Sequence, residues 1–121
     1  MGGYRDLVTW HKAMDLVQVV YLATRHFPKD QLYGLTSQLR RAAASIPSNI
    51  AEGCGRNSRN ELHHFIGQAR GSLAELETQL ELARVLGYLD AADTRALLSK
   101  AAQLGRMLTG LRDWSRKGAG G

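Results

Sequence analysis

The sequence has few of the residues that cross-link a small protein or build a β-sheet. Its 121 residues include one cysteine, two prolines and only 7% aromatic residues. The single cysteine, Cys54, excludes an internal disulfide, so we expect a reducing, cytoplasmic environment. Leucine and alanine dominate instead, which favours helices over strands, because strands prefer β-branched and aromatic residues.

Long apolar runs are also missing. No segment approaches the roughly 20 apolar residues of a membrane span, and the first residues lack the apolar stretch of a signal peptide. We therefore expect a cytoplasmic protein without membrane contact. The phosphate-binding loop, the Gly-x-Ser-x-Gly elbow and the dinucleotide fingerprint are absent from the sequence as well.

The chain carries a net positive charge, and its composition is that of a globular protein. The formal net charge is +5, with 44% hydrophobic and 22% charged residues. The length predicts one domain over residues 1–121, ordered from about 7 to 117, with a flexible tail at 118–121. A basic balance favours a polyanionic partner, usually nucleic acid, although many small proteins are mildly basic without one.

Apolar residues at steps of three and four predict four helices. Short connections between them predict an antiparallel up-down-up-down four-helix bundle, an all-α fold. The predicted helices run over 7–26, from near Asp30 to the glycines at 53 and 55, from Ser58 to Gly87, and from Asp90 onward, with Asp6 capping the first.

The apolar stripes predict which residues face the core. In the first helix the stripe is Leu7, Trp10, Met14, Val17, Tyr21 and Thr24. In the second helix it is Leu32, Leu35, Leu39, Ala42, Ala43, Ile46 and Ile50. Pro47 lies inside this second pattern and lacks a backbone donor, so we expect a kink there rather than an end.

The turn between the second and third helices has two interpretations. Ser58 and Glu61 form the S-x-x-E pattern of a capping box, and Glu52 can pair with Arg56 one helical turn later. This favours a capped corner held by a salt bridge. Alternatively, the free donors at the start of the third helix, flanked by Arg56 and Arg59, bind a phosphate.

The sequence gives little support to a catalytic site or a metal site. Glu61 and His64 supply one Glu-x-x-His motif, whereas a di-metal carboxylate bundle needs two such motifs and two further glutamates. Cys54 could act as a nucleophile only if a base such as His63 lay beside it. A small residue between two glycines, as Cys54 is, usually has only a packing role. We expect no enzyme activity, no cofactor and no metal.

The arginines divide by their helical spacing. Arg41 shares a polar stripe with Ser45, Ser48 and Glu52, whereas Arg40 lies on a stripe of small residues that suits close helix packing or a subunit contact. The predicted subunit interface is Arg40, Ala44, Pro47 and Ala51. The predicted nucleic-acid contacts are Arg41, Arg56, Arg59 and Arg70, with a second patch of Arg112, Arg116 and Lys117.

Charge is also uneven along the chain. The second half of the third helix is acidic, with Glu75, Glu77 and Glu81, whereas the end of the fourth helix is basic. Opposite patches of this kind can join copies head to tail into a ring, or they can pair between neighbouring helices of one copy.

One run of the sequence is specific enough to indicate a family. The run is YGLTSQLRRAAASIPSNIAEGCGRNSRNE, and further matches are Trp10 to Ala13, Phe27-Pro28, GSLAELE at 71–77 and Leu86-Gly87-Tyr88. These residues resemble the four-helix-bundle proteins encoded in intervening sequences of bacterial 23S ribosomal RNA genes. The likeness covers about residues 7–111.

The resemblance implies a ring-shaped homo-oligomer, with a pentamer favoured. The fold also looks like that of the accessory protein of diversity-generating retroelements, which works with a reverse transcriptase and binds nucleic acid. We therefore expect a non-enzymatic oligomer that binds nucleic acid, RNA rather than DNA, with low sequence specificity. The alternatives are a scaffold for a protein partner such as a reverse transcriptase, and a small assembly protein without a nucleic-acid ligand.

Overall fold

The computed structural model describes residues 3–120, with side chains through Arg116, and this range is built from helices. Four long helices confirm the predicted all-α fold, and no strand occurs in the described range. They are α1 (Val8–Thr24), α2 (Leu35–Cys54), α3 (Arg59–Val85) and α4 (Ala91–Gly120). Short 3₁₀ turns lie at Tyr4–Asp6 and Lys29–Gln31. The predicted tail at 118–121 extends beyond the described residues, and its flexibility stays a prediction.

The four helices close into a bundle in which each helix packs against two others. α2 contacts α1 and α3, and α4 contacts α3 and α1. At one end His63 Nδ1 of α3 lies 3.2 Å from Ser115 Oγ of α4, so the start of α3 meets the end of α4. Phe27 in the connection after α1 and Tyr88 in the connection after α3 also meet, with their rings 5.6 Å apart. These contacts fit the up-down-up-down order, which stays a prediction for the bundle as a whole.

The core-facing stripe of α1 was predicted only in part. Thr24 is buried, and Leu7, Trp10 and Val17 pack against the core. Met14 and Tyr21 are 44% and 42% exposed, and the face that α1 buries is Thr9, Ala13, Leu16, Val20 and Thr24. The prediction followed the largest apolar side chains, whereas the structure buries smaller ones. The Thr24 hydroxyl is satisfied there because it donates to the Val20 carbonyl at 2.9 Å.

The start of α2 was also predicted wrongly. Asp30 belongs to a short 3₁₀ turn, and the α-helix begins only at Leu35, after Gly34. Asp6 likewise lies in a 3₁₀ turn and does not cap α1, whose N-cap is Leu7 without a side-chain bond. Asp6 was predicted to cap α1 and Asp30 to lie near the start of α2, whereas each lies in a short 3₁₀ turn that precedes its helix.

The rest of α2 follows the prediction more closely. From Leu35 onward its predicted stripe is buried, whereas Leu32, outside the helix, is exposed. The helix continues through Pro47 to Cys54, which confirms that the proline does not end it. The kink at Pro47 stays a prediction.

Both ends of α3 are fixed by local backbone chemistry. Ser58 Oγ accepts a hydrogen bond from the Glu61 backbone N–H at 3.1 Å, which confirms the predicted N-cap. At the other end Gly87 has a φ of 83°, and the Tyr88 N–H donates to the Ala83 carbonyl at 2.8 Å. A positive φ suits glycine, and the six-residue bond closes a Schellman motif.

Gly53 sets how closely α2 and α3 approach each other at their shared corner. A Cβ atom at this position would lie 3.0 Å from Phe65 Cβ and 3.2 Å from Leu62 Cδ1. The first of these atoms is attached directly to the backbone of α3 and has little freedom to move away. An added Cβ would therefore push α2 and α3 apart by a few tenths of an ångström at the corner that joins them.

We predict that Gly53→Ala destabilises the fold. The added methyl group overpacks the α2–α3 contact at a cost of about 1–3 kcal/mol, which exceeds the gain of about 1 kcal/mol from alanine's higher helix propensity. Urea unfolding at a fixed protein concentration should show a lower midpoint with an unchanged slope.

Gly55→Ala is the matched control. A Cβ at Gly55 would meet only backbone carbonyls at 3.6 Å, an ordinary contact, and its φ of −80° suits any residue. Its free energy of unfolding should change by at most about 1 kcal/mol. Equal destabilisation of the two variants would contradict the steric role given to Gly53.

Candidate nucleic-acid interface

The structure distributes the predicted basic contacts over three surfaces. We call the first of these the basic end, and it comprises Arg56, Arg59, Arg112 and Arg116. Arg41 instead lines a groove beside α1 and α2, and Arg70 lines a groove between α3 and α4. Lys117 lies in α4, but its side chain is outside the described residues.

The basic end joins two segments that are far apart in sequence. The corner after α2 carries Arg56 and leads into α3, whose first residue is Arg59. The end of α4 lies beside it, because the His63 ring contacts Ser115 Oγ at 3.2 Å. The Ser115 hydroxyl donates to the Arg112 carbonyl at 2.8 Å, so its oxygen can accept from the imidazole N–H.

A contact between Arg59 and Trp114 forms the middle of this end. The Arg59 guanidinium lies 3.8 Å from the centre of the Trp114 ring, a cation–π contact that stabilises by roughly 0.5–1 kcal/mol at exposed sites. Arg59 forms no ion pair with an acidic side chain in the described part of the chain. The contact therefore holds the side chain in place while leaving its full charge for a partner.

The other three arginines of the basic end are paired with carboxylates. Arg56 lies 3.5 Å from Glu52, which confirms the pairing expected at this corner, and it also lies over the Phe65 ring at 5.0 Å. Arg112 and Arg116 share one carboxylate of Asp113, at 3.1 and 3.4 Å. Exposed pairs of this kind are worth at most about 1 kcal/mol, so a polyanion can replace them.

Sequence reasoning missed Trp114, and it found no aromatic ring on which a base could stack. Trp114 is 49% exposed and lies outside the apolar stripe of α4, between Arg112 and Arg116. A tryptophan off the core stripe and flanked by arginines was the signal that pointed to a surface role. Its contact with Arg59 depends on how α3 and α4 pack, and the spacing within α4 carries no information about that.

The groove between α3 and α4 is the larger of the two grooves. Its volume is about 850 Å³, and it is lined mainly by glycine and alanine, with Arg70 and Arg106 beside Glu77. Arg70 is half-buried there and forms no ion pair in the described residues. Arg70 and Arg41 therefore lie outside the basic end.

The predicted subunit interface is partly engaged within the chain itself. Arg40 Nε donates to Thr24 Oγ1 at 2.9 Å, and its guanidinium lies 4.7 Å from the centre of the Tyr21 ring. Pro47 is buried, whereas Ala44 and Ala51 are half-buried. Close packing of α2 against α1 accounts for Arg40, and the subunit-interface role of the four residues stays a prediction.

The residues considered for catalysis do not converge on Cys54. His63 hydrogen-bonds to α4, and the neighbouring His64 is exposed against the Phe65 ring. No group of three or more potential metal ligands occurs among the described residues. Burial raises the pKa of the Cys54 thiol, which favours the neutral form rather than the nucleophilic thiolate.

Comparison with known sequences identifies the family. A profile of the 23S rRNA-intervening sequence protein family matches residues 5–110, most of the chain. The chain belongs to this family. No curated protein matches the chain significantly in sequence. The match confirms the resemblance that the run at residues 33–61 indicates.

One solved crystal structure has the same fold as this chain. It is the crystal structure of a protein with unknown function from the S23 ribosomal protein family of Bacteroides thetaiotaomicron. It is 21% identical to this family member, with a TM-score of 0.78, covering 87% of this chain and 98% of the other. At that identity the likeness supports the bundle fold and carries no further conclusion. Among residues 3–120, no helix combines the length and the apolar character that crossing a bilayer requires.

We predict that the Cys54 thiol reacts slowly with iodoacetamide at neutral pH. Its raised pKa means that less thiolate is present than for an ordinary cysteine, so the rate should increase only as the pH rises above the usual thiol range. Mass spectrometry of the alkylated protein measures the rate. The same protein unfolded in urea is the control, and equal rates at pH 7 in both states would contradict the prediction.

Proposed function

We propose that this protein is a non-enzymatic, oligomeric nucleic-acid-binding protein that binds RNA through its phosphates with low sequence specificity. The observation that carries the proposal is the basic end, where four arginines lie at the α2–α3 corner and the end of α4 and one of them, Arg59, contacts the exposed Trp114. The name of the family refers to 23S rRNA, which agrees with RNA as the ligand.

The chemistry of the basic end supports phosphate binding. A guanidinium offers a planar set of donors that matches phosphate oxygens, and binding releases the counterions condensed on the nucleic acid. Arg59 needs no rearrangement to bind, whereas Arg112 and Arg116 only exchange the Asp113 carboxylate for a phosphate. Two acidic partners against four arginines leave the cluster with a positive balance.

Low specificity is expected because the basic end has few groups that distinguish bases. Its cations lie at helix ends, and α3 and α4 pack against each other rather than projecting a free helix into a groove. Direct readout needs side chains placed against base edges, whereas stacking on a ring such as Trp114 tolerates any base.

A protein-interaction scaffold is the second candidate function. Leu82, Val85 and Leu86 at the end of α3 are 44%, 69% and 52% exposed and form an apolar cluster away from the basic end. Exposed apolar clusters mark protein contacts, with a polymerase or with another copy. A pull-down of a partner that survives nuclease treatment would favour this function over RNA binding.

We predict that RNA binding weakens steeply with salt and that the slope depends on the basic end. For single strands, log K falls with log salt concentration by roughly 0.7 for each phosphate that the protein binds. Arg59→Gln and Arg116→Gln should each weaken binding and flatten this slope by about that amount for each phosphate that the variant no longer binds. Fluorescence anisotropy with a labelled RNA strand between low and physiological salt measures both quantities.

Arg95→Gln is the control for this experiment. Arg95 is an exposed cation near the start of α4, far along that helix from Arg116, so the same removal of charge should leave the slope unchanged. No binding by the unmodified protein at low salt, or binding without a salt slope, would overturn the proposed function.

Oligomerisation forms a separate part of the proposal. A ring repeats each basic end several times, so weak phosphate contacts combine into tighter binding by avidity. Light scattering at micromolar concentration should therefore give a mass several times that of the chain, with five copies favoured. A monomer at that concentration would remove both the ring and the avidity from the proposal.

A further inference from the structure

The groove beside α1 and α2 carries features that the basic end does not use. Its volume is about 390 Å³, at the lower end of the ~300–1,000 Å³ typical of small-ligand sites. It is lined by Tyr21, Leu32, Tyr33, Thr36, Ser37, Arg40, Arg41 and Ala44. This lining contains two arginines and two tyrosines but no acidic residue, so it suits an anion with an aromatic part.

The charges of the two arginines in this groove are available to a ligand. Neither Arg40 nor Arg41 forms an ion pair in the described part of the chain. Arg40 is held by its Nε–H bond to Thr24 Oγ1 at 2.9 Å and by the Tyr21 ring, so its orientation is fixed. Arg41 is exposed and contacts only the Ser37 hydroxyl, at 3.5 Å.

Thr36 belongs to the wall of the groove and offers no polar contact to a ligand. The residue is only 3% exposed, and its buried Oγ1 has no hydrogen-bond partner in the described structure. The polar contacts of the groove therefore come from its two arginines.

Tyr33 supplies a stacking surface at the same place. It is 94% exposed, and its ring lies in the short connection between α1 and α2 rather than in the core. A base stacked on a ring of this kind gains roughly 1–3 kcal/mol by alanine substitution, and any base can do so. The base must be unpaired, since both faces of a paired base are covered by its neighbours in the duplex.

We propose that this groove holds one unpaired nucleotide of a bound single strand, with its base on Tyr33 and its phosphate at Arg40 and Arg41. The inference rests on the proposed function and adds a preference for single strands to it. The basic end binds phosphates of either form, whereas the groove accepts only an unpaired residue.

The test compares a labelled single-stranded RNA with a blunt duplex of the same length. Tyr33→Ala should weaken single-strand binding about 5-fold to 150-fold and leave duplex binding unchanged, because the variant removes only the stacking surface. Tyr33→Phe should retain the affinity, since it keeps the ring. Arg41→Gln should weaken single-strand binding.

The outcomes separate this inference from the proposed function. If the unmodified protein binds no oligonucleotide, both fail. If it binds and responds to Arg59→Gln but not to the groove variants, only the groove inference fails. It also fails if a free 5′-mononucleotide competes as well as the strand does, which would make the groove a small-molecule site. A change of oligomeric mass in Tyr33→Ala would identify the groove as a subunit contact and overturn the inference.

Discussion

The close approach of α2 and α3 at Gly53 is the constraint on which the rest of this molecule depends. Because no side chain separates the two helices there, the chain turns sharply and α3 begins at Arg59 directly beside the end of α2. That start, fixed by the Ser58 cap, places Arg59 where it can reach Trp114 of α4. A wider corner would move the first turn of α3 away from the end of α2 and so shift Arg59 relative to Arg56.

The surroundings of each arginine then decide what it can bind. Adjacent positions on a helix point about 100° apart, so the neighbours Arg40 and Arg41 have different surroundings on α2. Arg40 is held against α1 through Thr24 and Tyr21, whereas Arg41 is open to solvent. At the basic end, contact with an aromatic ring positions Arg59 without neutralising it, whereas the Asp113 carboxylate partly neutralises Arg112 and Arg116. Counting charges in the sequence cannot distinguish these cases.

Sequence patterns predicted the elements whose signals are local. The stripe of α2 from Leu35, the Ser58 cap and the glycine after α3 each follow from spacing or backbone chemistry within a few residues. The face of α1 was partly wrong because its buried residues include Thr9 and Ala13, which a search for large apolar residues passes over. Trp114 and the unpaired Thr36 hydroxyl were missed for a different reason. The surroundings of these two groups are formed by residues of other helices, and the periodicity of the sequence does not show which residues those are.

The charge distribution limits how copies could assemble in the proposed ring. With a formal charge of +5 on each copy, two basic ends cannot face each other without strong repulsion. The acidic part of α3 is the complementary surface, yet Glu81 already pairs with Arg84 at 3.3 Å and Glu75 accepts a bond from Gln79. Glu77, in the groove between α3 and α4, has no such partner in the described residues. A ring that keeps its basic ends free for RNA must therefore be held mainly by apolar contacts, and the exposed Leu82, Val85 and Leu86 offer such a surface on the acidic half of α3.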